Sequence, residues 1–263
     1  LIKTNYNLTY EEADELIDLV PPEEDDLDIL SILLEKLKKN RIVNGSVEIN
    51  EVQGRFKCDS KGDPQIYFIE PTKSRELVRE AMILYGQYIA EYANKHNIPI
   101  PFRNQQKVDL TTTLNKKRFS NINVSNFYIK TSLGKSRYST LASIHGGLGL
   151  KMYTHATSPI RRYADLLVHN QVTSYIKGEA FESTEIINSL IFKISIKTKE
   201  NLDIYKENRD LMINRWLYMN SEIIYKAYIL RKTSVGKKIY LIFIDQIKMS
   251  LQCIITNLFD KGN

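Results

Sequence analysis

YTHATSPIRRYADLLVH, residues 153–169, joins two adjacent arginines to a helix start and several hydroxyl groups. Ser158 can serve as N-cap and Pro159 as the first helical residue, which puts Arg161 and Arg162 in the first turn beside backbone N–H groups without partners in the helix. Cations at the positive end of a helix dipole are unfavourable by about 0.3–1 kcal/mol, so an anion held by both arginines is the simplest compensation. The segment reads as a phosphate site. The competing reading is an ordinary salt bridge, because Asp165 lies four residues after Arg161 and three after Arg162.

Upstream of this block come IPIPFRNQ (98–105), an extended segment fixed by two prolines, then KSRYS (135–139) and HGGLGL (145–150). The glycines of HGGLGL lack the strand-to-helix context of a phosphate loop. In order and approximate spacing these elements resemble the ribonuclease II (RNB) family of processive 3′-to-5′ exoribonucleases, whose signature runs close to rAxYS, GHFGLGL and YTHFTSPIRRYADLLVHR. The chain departs from it at Ala156 and Asn170 and keeps the arginine pair. The resemblance implies that Arg161 is the catalytic arginine at the scissile phosphate, with Lys135, Ser158, Arg162 and Tyr163 among the RNA contacts. Arg103, ending the family's IPxxYR-like element, either reaches RNA or caps a neighbouring carbonyl.

Tyr10, in NLTYEEADEL, matches the position where the family stacks a tyrosine on a base near the RNA 3′ end, a contact worth about 1–3 kcal/mol per base. Without the resemblance it reads as a tyrosine packed on its own helix. The family's partner aromatic falls near Ile49, a departure. A family glutamate that contacts RNA belongs shortly before Trp216, and Glu207 is the residue carried over to it.

Hydrolysis in this family uses magnesium held by an aspartate cluster of the form D-x5-D-x-D-D. That spacing does not occur in residues 1–263, so no metal ligand is assigned and Mg2+ is expected only for the complete enzyme. The family carries the cluster upstream of the part resembling Leu1–Leu19, and the beginning is expected to be missing. The acids at 23–28 read as a solvated helix start. His145 and His155 could act as bases or ligands, but a histidine without a second ligand nearby is more often a hydrogen-bonded structural residue.

Charge is distributed unevenly. Residues 1–30 hold ten acids against Lys3, a balance of −9, which leaves +15 on the rest of a chain whose formal net charge is +6. A polyanion partner follows, although lysine excess also comes from A/T-rich codons. No apolar run approaches the roughly 20 residues of a membrane span. Cys58 and Cys253 read as core thiols in a reducing compartment.

Thr9 and Glu12 form a capping box for a helix over 9–19 that Pro21–Pro22 stops, and Leu27–Leu37 has helical spacing. Strands are expected around Val47–Ile49, Phe56–Cys58 and Ile66–Ile69. A helix follows over 74–97, with Leu77, Ala81, Leu84, Tyr85, Tyr88, Ile89 and Tyr92 as its core face. Lys107–Asn126 reads as a variable polar stretch, 183–221 as two long helices, and 224–263 as three strands resembling the opening of an OB-fold RNA-binding module. The fold class is α+β: the C-terminal part of an RNB catalytic domain (1–223), then an incomplete all-β OB-fold module (224–263).

The resemblance thus implies a hydrolase releasing 5′-nucleoside monophosphates from single-stranded RNA. It points to a plastid or a bacterial-type cytoplasm, not secretion, on the HATSPIRRY variant and the PIPFR element; no membrane is expected, and nothing in the sequence calls for an obligate protein partner. The alternatives are an inactive RNA-binding remnant and a purely structural subunit.

Overall fold

The capping box forms as the sequence dictates: the Thr9 amide donates to Glu12 Oε2 at 2.7 Å and the Glu12 amide to Thr9 Oγ1 at 3.2 Å, starting α1 (Tyr10–Leu19). The Thr9 amide, and with it the Thr9 hydroxyl donating to the same oxygen at 2.9 Å, holds the Glu12 carboxyl below the usual range. The computed structural model describes residues 7–19, 25–107, 121–233 and 238–255. Pro21–Pro22, Glu23, Glu24 and most of the polar stretch after Lys107 lie outside them. Helix α2 (Asp25–Val43) is followed by the antiparallel hairpin β1 (Gln53–Cys58) and β2 (Pro64–Ile69), and by α3 (Lys73–Lys95). Then come β3 (Phe102–Asn104), α4 (Ile122–Ser132), β4 (Arg137–Ser139), α5 (Tyr163–Lys177), α6 (Thr184–Met219) and β5–β7 (Ala227–Lys232, Ile239–Ile244, Met249–Ile254).

The chain divides into two compact units. The first comprises residues 1–48, 71–109 and 133–198. Its core gathers Ala90 and Ala93 of α3, Ile98, Ile100 and Phe102 of the proline-fixed segment, and Ala156 and Val168 of the 153–169 block. Here β3 pairs antiparallel with β4, Arg103 facing Tyr138 in the register, and Phe102 bridges Thr154.

The second unit comprises residues 49–70, 110–132 and 199–263. Its core is Ile213, Ile244, Ile247, Met249 and Leu251, with Phe56, Trp216 and Tyr225 packed on it. Strands β5–β6–β7 form an antiparallel meander, as expected of the start of an OB-type module. Gly54 lies against the turn between β6 and β7, where a Cβ would stand 1.9 Å from the Ile247 carbonyl oxygen, so the residue must be glycine.

Several expectations are corrected. Residues 183–221 hold one 36-residue helix, because nothing between Thr184 and Met219 is a glycine or proline that would break it. Val47–Ile49 is not a strand. A helix, α4, occupies the end of the stretch read as variable. The face of α3 is displaced: its buried line includes Glu80, Ile83, Gly86, Ala90 and Ala93, while Leu84, Tyr85 and Tyr88 are exposed. Small side chains let α3 approach its neighbours closely, which the larger tyrosines would prevent. Cys58 is exposed and Cys253 half-buried rather than core thiols. Among the described residues no helix is long and apolar enough to cross a membrane.

Candidate functional site

Residues 158–165 form a turn tied to a buried carboxylate. The Arg161 and Arg162 amides both donate to the Ser158 carbonyl, at 3.2 and 2.9 Å. Asp165, wholly buried, accepts from the Ser158 amide at 2.8 Å and from Arg162 Nε at 3.1 Å through Oδ2. Arg162 Nη2 also donates to Thr157 Oγ1 at 3.3 Å. This corrects the helix start: α5 begins at Tyr163, and its N-cap is Arg162, with extended backbone and no side-chain cap bond, not Ser158. The reason is Asp165, whose carboxylate takes the Ser158 amide and closes a separate turn before the helix.

The turn divides the labour of the two arginines. Arg162 is held by Asp165, so the salt-bridge reading is right for it, though the bridge is no surface pair. Arg161 is exposed on the turn, and its guanidinium has no hydrogen-bond or ion-pair partner among the described residues. Ile160 beside it is fully exposed, and Tyr163 is 52% exposed. Ser158, Arg161, Arg162 and Tyr163 are therefore brought together.

Beside the turn lies an aromatic cluster in which Tyr153 is buried and Tyr138, His145 and His155 are half-buried. The Arg103 amide donates to the Tyr153 carbonyl at 2.7 Å, and its guanidinium sits 4.5 Å over the Tyr138 ring. Tyr138 Oη and His155 Nδ1 are 2.7 Å apart. Tyr153 stands edge-on to both His145 and His155, with ring centroids 5.5 and 5.6 Å apart. Burial pulls the Arg103 pKa down and pushes those of Tyr138 and Tyr153 up. Of the two expectations for Arg103, a carbonyl cap by its side chain is not what forms; a cation–π contact is. Lys135 is exposed beside Gly134, whose carbonyl accepts from Gln105 Nε2 at 2.6 Å.

Burial, followed by the nearby Arg103, lowers His145 to about 4; burial, then Arg162 and Arg103, lowers His155 to about 4. Both rings are neutral at pH 7; His155 Nδ1 is paired with the Tyr138 hydroxyl, whereas His145 Nδ1 is buried with no hydrogen-bond partner among the described residues. Since the unfolded chain takes up these protons near pH 6.5 and the folded chain only near 4, their contribution to stability is complete above about pH 6.5. It is lost as pH falls from there towards 4, with a slope of up to about 1.4 kcal/mol per pH unit for each histidine. Urea midpoints measured between pH 4.5 and 7.5 should rise with pH, and His155→Gln should flatten the rise.

The remaining predicted residues lie elsewhere. Tyr10 packs on the start of α3, with Arg75 Cζ 4.0 Å over one face of its ring and the Ser74 hydroxyl donating to its carbonyl at 3.0 Å. It lines a mostly apolar cavity of about 660 Å3 with Leu8, Ile17, Leu77 and Val78. Glu207 is exposed on the part of α6 that belongs to the second unit. Sequence reasoning missed Tyr138, which the β3–β4 register sets opposite Arg103.

A metal does not fit the described residues. Among them no group of three or more His, Cys, Asp or Glu could hold an ion. The carboxylate that anchors the turn, Asp165, has Oδ2 committed to the Ser158 amide and Arg162, and its Oδ1 is buried with no hydrogen-bond partner among the described residues.

The family profile described as RNB domain matches residues 1–178. An uncharacterized ribonuclease of Synechocystis sp. is 29% identical over 251 residues, 95% of this chain and 38% of the relative's length. The chloroplastic/mitochondrial ribonuclease II of Arabidopsis thaliana is 33% identical over 196 residues, 68% of this chain and 23% of the relative. Mycoplasma genitalium RNase R in complex with ribose-methylated single-stranded RNA shares the fold, with a TM-score of 0.76 at 19% identity over 95% of this chain and 46% of that one.

Proposed function

This chain belongs to the RNB family, and from that premise we propose that it is the substrate-gripping part of a hydrolytic 3′-to-5′ exoribonuclease that releases 5′-nucleoside monophosphates from single-stranded RNA. The observation that carries this reading is Arg161: an exposed guanidinium with no partner among the described residues, on a turn fixed by Arg162 and Asp165. Such a group loses nothing internal when it meets a phosphate, and it neutralises charge that develops there during hydrolysis. Ser158, Arg162 and Tyr163 flank it, Lys135 adds an exposed cation, and Arg103 stiffens the support through Tyr138. Tyr10 is the proposed base platform, on the ring face away from Arg75, and Glu207 a further RNA contact.

The ion proposed for hydrolysis is Mg2+, whose cage the described residues do not form. The Arabidopsis and Synechocystis relatives favour a plastid or a bacterial-type cytoplasm. The division at 223/224 into a catalytic part and an OB-type module is likewise proposed, on the three-strand meander.

The second reading, an RNA-binding remnant that does not cut, is favoured by the missing metal group among the described residues. Incubating the natural gene product with 5′-labelled single-stranded RNA and Mg2+ separates the two. A ladder shortening in single-nucleotide steps is the expected result; RNA retained but unshortened supports the remnant. RNA that is neither bound nor shortened overturns both. Binding should weaken with salt, with a slope of about 0.7 per phosphate neutralised.

A further inference from the structure

A cavity of about 640 Å3 lies wholly within the second unit, outside the Arg161 site, and nothing above uses it. Its volume is that of a small-molecule pocket. Its walls combine three kinds of group. Phe56, Phe127 and Phe243 offer aromatic surface, and Asn123 and Asn208 offer amide donors and acceptors. Arg55 offers a cation of a particular sort.

The other cations on the lining each have a carboxylate: Lys130 has Glu51, Arg209 has Asp210 at 2.6 Å and Lys248 has Asp245 at 2.6 Å. Arg55 is half-buried and has only neutral partners among the described residues, donating to Tyr205 Oη at 2.7 Å and to Gln53 Oε1 at 3.1 Å. A guanidinium aimed by two neutral acceptors, without a counter-charge, is organised for an anion that arrives from outside. The aromatic walls ask that the anion carry a flat apolar part, and the amides that this part have hydrogen-bonding edges.

We propose that this cavity binds a nucleotide, its phosphate on Arg55 and its base among Phe56, Phe127 and Phe243. The ligand is either a free mononucleotide or one nucleotide of a strand, and the proposal does not depend on the exoribonuclease reading.

The only tryptophan supplies a built-in reporter, since Trp216 lies 6.4 Å, ring centroid to centroid, from Phe56. Titration of the full chain with 5′-AMP should change Trp216 fluorescence saturably, and adenosine should bind about tenfold or more weakly. Arg55→Ala should weaken 5′-AMP by a similar factor, Arg55→Lys should restore part of the loss, and Phe127→Leu, which leaves Arg55 untouched, should weaken both ligands. Thermal unfolding of each variant checks the fold, and should Arg55→Ala fail to fold, Arg55→Lys and Phe127→Leu carry the test. No saturable binding of 5′-AMP, equal affinity for 5′-AMP and adenosine, or 5′-AMP affinity unchanged in the Arg55 and Phe127 variants overturns the proposal. A hexamer of adenylate that displaces 5′-AMP identifies a strand as the source; one that binds without displacing it identifies the free nucleotide. RNA shortened by the natural gene product without saturable 5′-AMP binding overturns this site alone, and 5′-AMP bound with RNA left whole overturns the exoribonuclease reading alone, so the two failures are distinguishable.

Discussion

Replacing Glu80 with alanine is expected to cost the first unit about 3–5 kcal/mol, read as a lower urea midpoint by circular dichroism. Glu80 and Arg41 are 3% and 6% exposed, and Arg41 Nη2 reaches the two carboxylate oxygens at 2.6 and 2.7 Å, with Nε at 3.1 Å. Without Glu80 a buried guanidinium keeps only Glu48 at 3.7 Å and the Leu148 carbonyl at 3.0 Å. That carbonyl belongs to the tight turn leading into the 153–169 block. Gly149, which follows, has φ +66°, and a Cβ there would stand 2.4 Å from the Arg41 carbonyl. The pair thus clamps α2, α3 and this turn at one point. The double variant Arg41→Met/Glu80→Leu should recover most of the loss, because it removes both charges and refills the space.

The second large effect is functional. On the exoribonuclease reading, Arg161→Ala in the natural gene product should lower turnover of single-stranded RNA about 10²–10³-fold while the melting temperature stays put, because the side chain is exposed and has no partner among the described residues. Arg161→Lys should restore only part, since an ammonium cannot grip a phosphate through two parallel bonds. Arg162→Ala behaves differently: it strips the buried Asp165 of a partner, so stability falls together with activity. A variant of Arg161 with full turnover would remove that residue from the proposed chemistry.

Local rules were legible in the chain. The Thr9–Glu12 box, the β1–β2 hairpin and the three C-terminal strands follow from side-chain chemistry within a few residues of each element. What escaped was set at a distance. The helix start at Ser158 was misread because Asp165, seven residues on, claims its amide. The buried face of α3 was misread because tight approach rewards Gly86, Ala90 and Ala93, while hydropathy alone rewards the tyrosines. In the site, the sequence motifs brought out Arg161, yet the contact between Arg103 and Tyr138 depends on strand register.

Helix α3 contacts both the proposed base platform and the segment that leads to Arg161: Arg75 lies against Tyr10 near the helix start, and the Gly86 carbonyl accepts from the Thr154 amide, seven residues before Arg161, at 3.4 Å. Eleven residues of helix separate them by about 16 Å. On the proposed reading the helix acts as a gauge block, its length setting the spacing between base platform and phosphate site. A single inserted residue between these points would lengthen the gauge by about 1.5 Å and swing the tyrosine platform by about 100°. Such an insertion would put base and phosphate out of phase without altering any residue that touches RNA.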